Sequence, residues 1–339
     1  MPILQSKRIT LKDIASELGV SKSTVAKVLG NQPESRVSKE VAHQVRKTAN
    51  IMGYQPSYAG QALRTGRTNL IGLIVPRISI TAYPGFYHSM YMGVVEMTSE
   101  SDNAIVQLLI QPRKKLEDIV KRGLLDGILF ITSDPENADV DYLAETGLPL
   151  VVINREVNHR GDVSYITPEY QKAAGEAVRE LVQAGHRRLA LVAIGGKIDS
   201  NQRMIKGFQD QVRNLASQGV SGVWFDISEG KLECYFDTAR QVVEKGPFDA
   251  YIVDIARQAE VLGQMIKEKT GRIIGQNKDL IVFSPEENTV MTEVTPWRLY
   301  LHQNELMGQT AYNILQSQIE TGERKPQQSY VPFRIVTGD

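Results

Sequence analysis

Hydroxyl and ammonium side chains are grouped in residues 10–29, TLKDIASELGVSKSTVAKVL, in a spacing suited to contacts with a polyanion. The apolar residues recur at helical intervals on either side of Gly19, which predicts two short helices joined by a tight turn. In a helix-turn-helix the second helix enters the DNA major groove. Lys22 and Lys27 on that helix can donate to guanine, and Ser23 can bond to either base type. The pattern favours DNA binding, although an ordinary helical hairpin would share its periodicity.

A second set of hydroxyl groups stands at or near predicted helix starts, where backbone N–H groups attract phosphate oxygens. Ser and Thr are also preferred helix caps at such positions. The residues with this placement are Thr10, Ser21, Thr24 and Ser38. These side chains are therefore able to hold the phosphate backbone of a duplex.

No catalytic motif accompanies these residues. The sequence contains no GxxxxGK[ST], no GxGxxG after a strand, no GxSxG and no HExxH. Its five histidines are scattered without metal-ligand spacing, and its one cysteine, Cys234, has no partner for an internal disulfide. The sequence thus predicts no enzyme, no cofactor and no metal site.

Three helices are predicted to position the DNA-facing residues in a small head. They are 11–18, 22–29 and a third that starts after Ser38 and ends near Gly53. Residues 55–69 hold Pro and Gly and no bulky apolar stripe, which predicts a linker. Within it, 57–64 could form a short helix that is marginal in isolation.

Charge is distributed unevenly along the 339 residues, although 39 basic and 39 acidic side chains cancel overall. Residues 1–67 hold eleven Lys and Arg against four Asp and Glu. A basic head on an acidic body indicates nucleic acid as the leading partner, with a solvated basic face as the alternative. No apolar run approaches the roughly 18 residues of a membrane helix, and the N-terminus lacks a secretory pattern, so we expect a cytoplasmic protein.

From Asn69 onward apolar runs alternate with helical stretches, which predicts parallel β-sheets covered by helices on both faces. The predicted strands are 70–75, 104–110, 127–132, 148–154, 189–195, 223–227, 250–255 and 280–283. The predicted helices between them are 86–100, 113–122, 139–146, 170–184, 201–217, 234–246 and 257–270, and a helix at 304–320 and a strand-like segment at 331–336 follow. One barrel is conceivable, but a break near 155–168 divides the units into four and four and favours two doubly wound subdomains.

Several segments in fixed order resemble the LacI/GalR family of bacterial transcription regulators. In and after the head they are TLKDIASELGVSKSTVAKVL at 10–29, RVSKEVAHQV at 36–45, GYQPSYAGQALRTGRT at 53–68 and IGLIVP at 71–76. Weaker matches to the family's effector-binding core are AGHRRLALV at 184–192, KGF at 206–208 and LMGQTA at 306–311. The resemblance covers nearly the whole chain and implies an α/β protein with a three-helix DNA-binding head, a hinge and a periplasmic-binding-protein-like core.

The resemblance also implies roles for individual residues. Base-reading positions hold Lys22, Ser23 and Lys27, and phosphate-contacting positions hold Thr10, Ser21, Thr24, Ser38 and Tyr54. Arg36 falls in a loop near the DNA. Leu63, with Arg64 beside it as a further contact, matches the leucine that the family's hinge helix inserts into the minor groove, where an apolar wedge kinks the duplex. The expected partner is a pseudo-palindromic operator read by a homodimer.

Departures from the family pattern put the operator sequence, rather than DNA binding, in question. Ala26-Lys27 stands where the family usually has Ser-Arg, so the bidentate fork of an arginine is lost. Gly60 stands where the hinge helix usually has Ala, which weakens that helix by up to ~1 kcal/mol.

An effector is expected between the two core subdomains, at the carboxyl ends of their strands. Several sugar-clamping groups of the family are replaced or displaced. Glu169-Tyr170 occupies the positions where the family usually has an Asp-Asn pair, and Arg203 lies one residue away from the usual position of the family's arginine. The candidate effector-binding residues are Tyr83, Phe86, Tyr170, Arg203, Trp224, Asp254 and Glu286. The aromatic members could stack on a sugar or belong to the core. We expect an altered, sugar-like effector, with a core that needs no small ligand as the alternative.

The resulting hypothesis is a repressor of carbohydrate-utilisation genes, controlled by a sugar-like effector. The alternative is a soluble sugar-binding receptor with little specific DNA binding. The expected domains are the head at 1–55, the hinge at 56–68, a first core subdomain at 69–166 plus 297–324, and a second at 167–296 plus 325–339.

Overall fold

The computed structural model describes residues 9–30, 37–55, 62, 65–75, 84–109, 113–132, 138–158, 160–195, 198–228, 232–285 and 297–337. The chain divides into two compact units, residues 1–68 and residues 69–339. The first unit contains the predicted head and linker, and the second is the predicted core. The short linker helix predicted at 57–64 lies, except for Ala62, outside the described residues. Within the described ranges no helix is long and apolar enough to cross a membrane.

Locally encoded caps define the head. Its helices are α1 (Leu11–Leu18), α2 (Lys22–Leu29) and α3 (Lys39–Ile51). Thr10 and Asp13 form a capping box on α1, while the Ser21 and Ser38 hydroxyls each accept a hydrogen bond from a backbone N–H of α2 or α3. Gly19 ends α1 with φ of 63°, in the left-handed region that favours glycine. The predicted bounds of α1 and α2 and the three caps are confirmed.

A small apolar core holds the three head helices together. Ile14 of α1, Val25 of α2 and Val45 of α3 are each 0% exposed. Burial of such a side chain contributes roughly 1.5–3 kcal/mol. Because Val25 and Val28 face this core, the opposite side of α2 is left to solvent.

Two six-stranded sheets form the core unit. The first contains β1 (Leu70–Val75), β2 (Ala104–Leu109), β3 (Gly127–Ile131), β4 (Leu150–Ile153), β5 (Ser164–Pro168) and β11 (Gln328–Val331), in the order β11-β5-β4-β3-β1-β2. The second contains β6 (Arg188–Ile194), β7 (Ser221–Ile227), β8 (Ala250–Val253), β9 (Leu280–Pro285), β10 (Arg298–His302) and β12 (Arg334–Thr337), in the order β12-β10-β9-β8-β6-β7. Adjacent strands are parallel except for β12, which runs antiparallel to β10. The two doubly wound subdomains are thus confirmed.

Helices cover both faces of the sheets, as the alternating pattern predicts. They are α4 (Pro84–Ser99), α5 (Arg113–Lys121), α6 (Ala138–Glu145), α7 (Tyr170–Gln183), α8 (Asp199–Asn214), α9 (Leu232–Lys245), α10 (Ala256–Thr270) and α11 (Asn304–Thr321). Strands covered on both faces are apolar throughout, and every residue of β3 and of β4 is buried.

The predicted subdomain limits need correction at the chain crossings. The segment 155–168, expected to be a break, contains β5, which is buried throughout although SYITP lacks a continuous apolar run. The segment 297–324 is divided, because β10 pairs with β9 of the second sheet while α11 packs on the first. The segment 325–339 is divided too, since β11 pairs with β5 and β12 with β10. The strand expected at 331–336 is therefore two strands in different sheets.

Helices α4 and α11 approach closely because glycine stands at both contact points. A Cβ at Gly93 would overlap the carbonyl of Glu305, and a Cβ at Gly308 would overlap the carbonyl of Met90. Backbone atoms cannot yield as a flexible side chain does, so neither helix can carry a larger residue there without moving.

We predict that Gly308→Ala destabilises the protein by about 1–3 kcal/mol, because the added methyl forces α4 and α11 apart. Gly263→Ala is the matched control. Gly263 is also helical, but its Cβ would lie 3.5 Å from Ile274 Cγ1, an ordinary contact, so the change should be neutral or stabilise by up to ~1 kcal/mol. Urea unfolding measures both, and equal stability of the two variants would contradict the prediction.

Candidate functional site

The solvent face of α2 carries the predicted base-reading residues. Lys22, Ser23 and Lys27 are all exposed, whereas Val25 and Val28 are buried against the other head helices. The alternation follows from the helical period, which places the two sets on opposite sides. The exposed side therefore offers two ammonium groups and a hydroxyl to a partner surface.

Three hydroxyls form a connected group at the start of α2. The Ser21 Oγ lies 2.7 Å from Ser23 Oγ and 2.8 Å from Thr24 Oγ1, and it accepts the Thr24 backbone N–H at 3.0 Å. Two O···O contacts use at most two of the three hydroxyl protons. At least one proton remains for an external acceptor, at a helix end that already favours anions.

The other predicted phosphate contacts are less uniform. Thr10 donates both its hydroxyl and its backbone N–H to Asp13 Oδ2, at 2.7 and 2.8 Å, so this conformation leaves it no donor for a phosphate. Ser38 is exposed at the start of α3, and Tyr54 is half-buried against the head core. Arg36, Leu63 and Arg64 lie outside the described residues.

The carboxyl ends of strands from the two sheets meet in the core unit. Phe86, after β1 of the first sheet, packs edge-to-face on His302, at the end of β10 of the second, with ring centroids 5.2 Å apart. Of the predicted effector residues, Phe86, Tyr170, Arg203, Trp224 and Asp254 are described, while Tyr83 and Glu286 fall outside the described residues. The meeting of strand ends is where open α/β sheets bind ligands.

An aromatic cluster occupies the three chain crossings between the sheets. Tyr170, His302 and Phe333 each belong to a different crossing, and their ring centroids lie 4.9–5.4 Å apart. The Tyr170 hydroxyl lies 3.2 Å from His302 Nδ1. Because Tyr170 is only 3% exposed, it belongs to the packing of the chain crossings in this structure rather than to an open ligand surface.

Arg203 binds its own protein with nearly all of its donors. Its Nε donates to Asp199 Oδ2 at 3.1 Å, and one Nη donates to Thr167 Oγ1 at 2.6 Å. The other Nη donates to Glu156 Oε1 at 3.0 Å and to the Pro168 carbonyl at 3.2 Å. A guanidinium has five N–H donors, so four are engaged and one is left. Little of the sugar-clamping capacity expected of Arg203 remains.

Burial shifts the pKa of three groups near the crossings. It raises the pKa of Asp254 to about 7, although hydrogen bonds with the Ile194 backbone and the Asn201 side chain oppose the shift. Burial also lowers the pKa of His302 to about 3, so His302 is neutral at neutral pH. Burial raises the pKa of the Tyr170 hydroxyl, to which the Asp254 charge adds and which Arg203 opposes.

Trp224 stands apart from these groups on the edge strand β7. Its indole lies beside Gly195, whose N–H donates to Asp226 Oδ1 at 2.7 Å. A groove of about 490 Å³ opens instead between α7 and α8, and Arg203 is the one predicted effector residue that lines it. Its other lining residues include Glu156, Lys172, Arg179, Asp210 and Tyr330. Of the described candidates, Arg203 lines this groove, and its guanidinium carbon lies 5.9 Å from the centre of the Tyr170 ring.

Sequence reasoning missed the partners of these residues. Phe333 lies in a tail read as one strand, and His302 precedes a predicted helix without a motif around it. Glu156 and Thr167 fall in the segment treated as a break. A charged or hydroxyl residue just after a buried strand was the available signal, because strand ends of parallel sheets gather in space.

We predict that Asp254→Asn alters the pH dependence of stability. An acid whose pKa rises on folding makes the protein less stable as pH increases from about 4 to about 7. Asparagine removes this proton linkage, so the variant should gain stability relative to the wild type across that window, by on the order of 4 kcal/mol, and then level off. Urea unfolding at a series of pH values measures the difference. The control Asp237→Asn, at a 65%-exposed side chain, should give a flat difference, and a flat one for Asp254→Asn would refute the assignment.

Family comparisons agree with both units. Residues 10–57 match the family described as bacterial regulatory proteins, lacI family. Residues 68–336 match the periplasmic binding proteins and sugar binding domain of the LacI family. The two matches together span the head and nearly all of the core.

Individual relatives extend the comparison. The chain is 27% identical over 244 residues to catabolite control protein A of Priestia megaterium, covering 70% of this chain and 69% of that protein. The aligned regions span 58 to 69% of the length of the first four curated relatives.

Solved structures share the fold along almost the whole chain. A lac repressor dimer bound to operator and the anti-inducer ONPF has a TM-score of 0.72 at 19% identity and covers 98% of both chains. A complex of the transcriptional regulator CelR with cellobiose has a TM-score of 0.65 at 20% identity, covering 97% of this chain and 99% of that one. The matches to both family domains show that the chain belongs to the LacI family of bacterial regulatory proteins.

Proposed function

We propose that this protein is a sequence-specific DNA-binding transcription regulator of the cytoplasm, a repressor of carbohydrate-utilisation genes. The observation that carries the proposal is the solvent face of α2, which presents Lys22, Ser23 and Lys27 on a rigid capped helix. Two relatives are named catabolite control protein A and HTH-type transcriptional regulator MalR. A homodimer would read two half-sites of a pseudo-palindrome.

Contacts to the duplex divide by chemistry. Lys22 and Lys27 donate to guanine edges, and Ser23 bonds to either base type. The Ser21–Ser23–Thr24 hydroxyl group and the exposed Ser38 supply phosphate contacts. Arg36, Tyr54 and Arg64 are further contacts proposed from the family resemblance. Thr10 would need to release Asp13 before it could donate to a phosphate.

A small sugar-like effector is proposed to bind between the core subdomains. The support is the meeting of strand ends and the cellobiose complex of a structural neighbour. Phe86 and Asp254 are the described candidates that retain an exposed part there, and Tyr83 and Glu286 are retained from the sequence. Tyr170 and Arg203 are engaged internally, and Glu169-Tyr170 occupies the positions of the Asp-Asn pair of sugar-binding family members, so the effector chemistry should differ from theirs.

The test of the proposal is a genomic-fragment binding selection with the purified full chain at a stated, moderate salt concentration. The salt is fixed because phosphate contacts make affinity fall steeply as it rises. Enrichment of one pseudo-palindrome, with or without members of a sugar panel, supports the regulator. Sugar binding without any enriched sequence would instead favour a soluble sugar receptor.

We predict that Lys22→Ala relaxes base preference at one position of each half-site and costs about 1–3 kcal/mol on the preferred operator, because a guanine contact is lost. Lys47→Ala removes the same charge from α3, outside the recognition helix. It should weaken binding to all sequences alike or leave it unchanged. Selections with the two variants compare their profiles, and an unaltered profile for Lys22→Ala would exclude a base-reading role.

We predict that Leu63→Ala weakens operator binding without changing half-site preference, since the minor-groove wedge acts on the central step rather than on the half-sites. DNA bending measured by gel mobility should decrease in parallel. A changed half-site preference with unchanged bending would contradict the hinge assignment.

A further inference from the structure

The two core subdomains are tied together by a charged network, centred on Arg203. Arg203 and Asp199 lie on α8, which packs on β6 and β7 of the second sheet. Glu156 follows β4 and Thr167 lies on β5, both in the first sheet. The bonds from Arg203 to Glu156 and Thr167, at 3.0 and 2.6 Å, therefore cross from one subdomain to the other.

The network is reciprocal and largely withdrawn from solvent. The Glu156 backbone N–H donates to Asp199 Oδ2 at 3.3 Å, so each side both donates and accepts. The side chains of Arg203, Glu156 and Asp199 are 11, 15 and 18% exposed. Charges at this depth are little screened by salt, and separating them without replacing their partners would leave them uncompensated.

This arrangement favours one angle between the subdomains. A guanidinium is planar and its donors have fixed directions, so its four acceptors must be held in register. A rotation of one sheet against the other would move Glu156 and Thr167 away from α8 while leaving Asp199 bound. The side chains of the protein itself thus form a polar bridge between the two core subdomains.

We propose that Arg203, Glu156, Asp199 and Thr167 form an interdomain latch that sets the subdomain angle without a bound effector. Opening this latch is the step by which the core changes the affinity of the heads for DNA. The second statement rests on the proposed function. An effector, on this basis, acts by offering replacement partners to Arg203 or to Glu156.

Arg179 supplies a matched control. It lies on α7, lines the same groove and donates to Gln211 Oε1 of α8 at 3.1 Å. Both α7 and α8 belong to the second subdomain, so the contact of Arg179 does not join the two subdomains. Arg179→Met removes the same charge as Arg203→Met and leaves the latch in place.

The experiment measures the distance between spin labels on the two subdomains. In a Cys234→Ser background, Lys121→Cys labels α5 of the first subdomain and Arg213→Cys labels α8 of the second, at side chains 68 and 75% exposed. An excess of unlabelled chain ensures that each measured pair lies within one molecule. The selected operator fragment gives the DNA affinity of the same proteins.

Arg203→Met, Arg203→Lys and Glu156→Gln should each add a second distance population, whereas Arg179→Met should retain the wild-type distribution. Operator affinity should change by roughly 5- to 100-fold in the latch variants and not in the control. Thermal unfolding identifies any variant that does not fold. If the Arg203 variants do not fold, the distances in Glu156→Gln, which is the smaller change, test the latch.

An unchanged distance distribution in folded latch variants overturns the latch. A changed distribution with unchanged operator affinity overturns the proposal that opening the latch changes the affinity for DNA. If the wild-type chain selects no operator at all, the proposed function fails, but the label distances still accept or reject the latch. The two failures are therefore distinguishable.

Discussion

A guanidinium removed from water must find acceptors for its protons, and Arg203 finds four of them only when both subdomains are in place. This requirement fixes α8 against the ends of β4 and β5. The aromatic cluster at the chain crossings adds an apolar constraint between the same two subdomains, since Tyr170, His302 and Phe333 pack against one another. Polar and aromatic contacts together define the geometry of the core.

The head, in contrast, depends on contacts between residues that are close together in the sequence. Its caps join residues three positions apart, and its core is a handful of side chains at helical spacing. Such signals are complete within a short stretch of sequence, which is why α1, α2 and their caps could be predicted to the residue. The same logic predicts which face of α2 is exposed, because burial of Val25 and Val28 determines it.

The core was predictable as a sequence of strands and helices but not as a set of partners. Apolar runs located most strands, yet β5, β10 and β11 are short or mixed in composition and gave no periodic signal. Sheet membership depends on where the chain crosses, and the crossing residues carry no pattern of their own. Tyr170 bonds to a residue 132 positions away, a distance over which a single sequence holds no information.

Strands β11 and β12 lie at the edges of different sheets, and this has a consequence for synthesis. β11 is the outer strand of the first sheet, next to β5, although β1 to β5 emerge from the ribosome much earlier. Helix α11, which covers the first sheet, also follows β10 of the second sheet along the chain. The first subdomain therefore remains open at one edge until residues 328–331 are made. Each nascent chain must keep that edge from pairing with a neighbour, a demand that falls on the folding environment rather than on the finished protein.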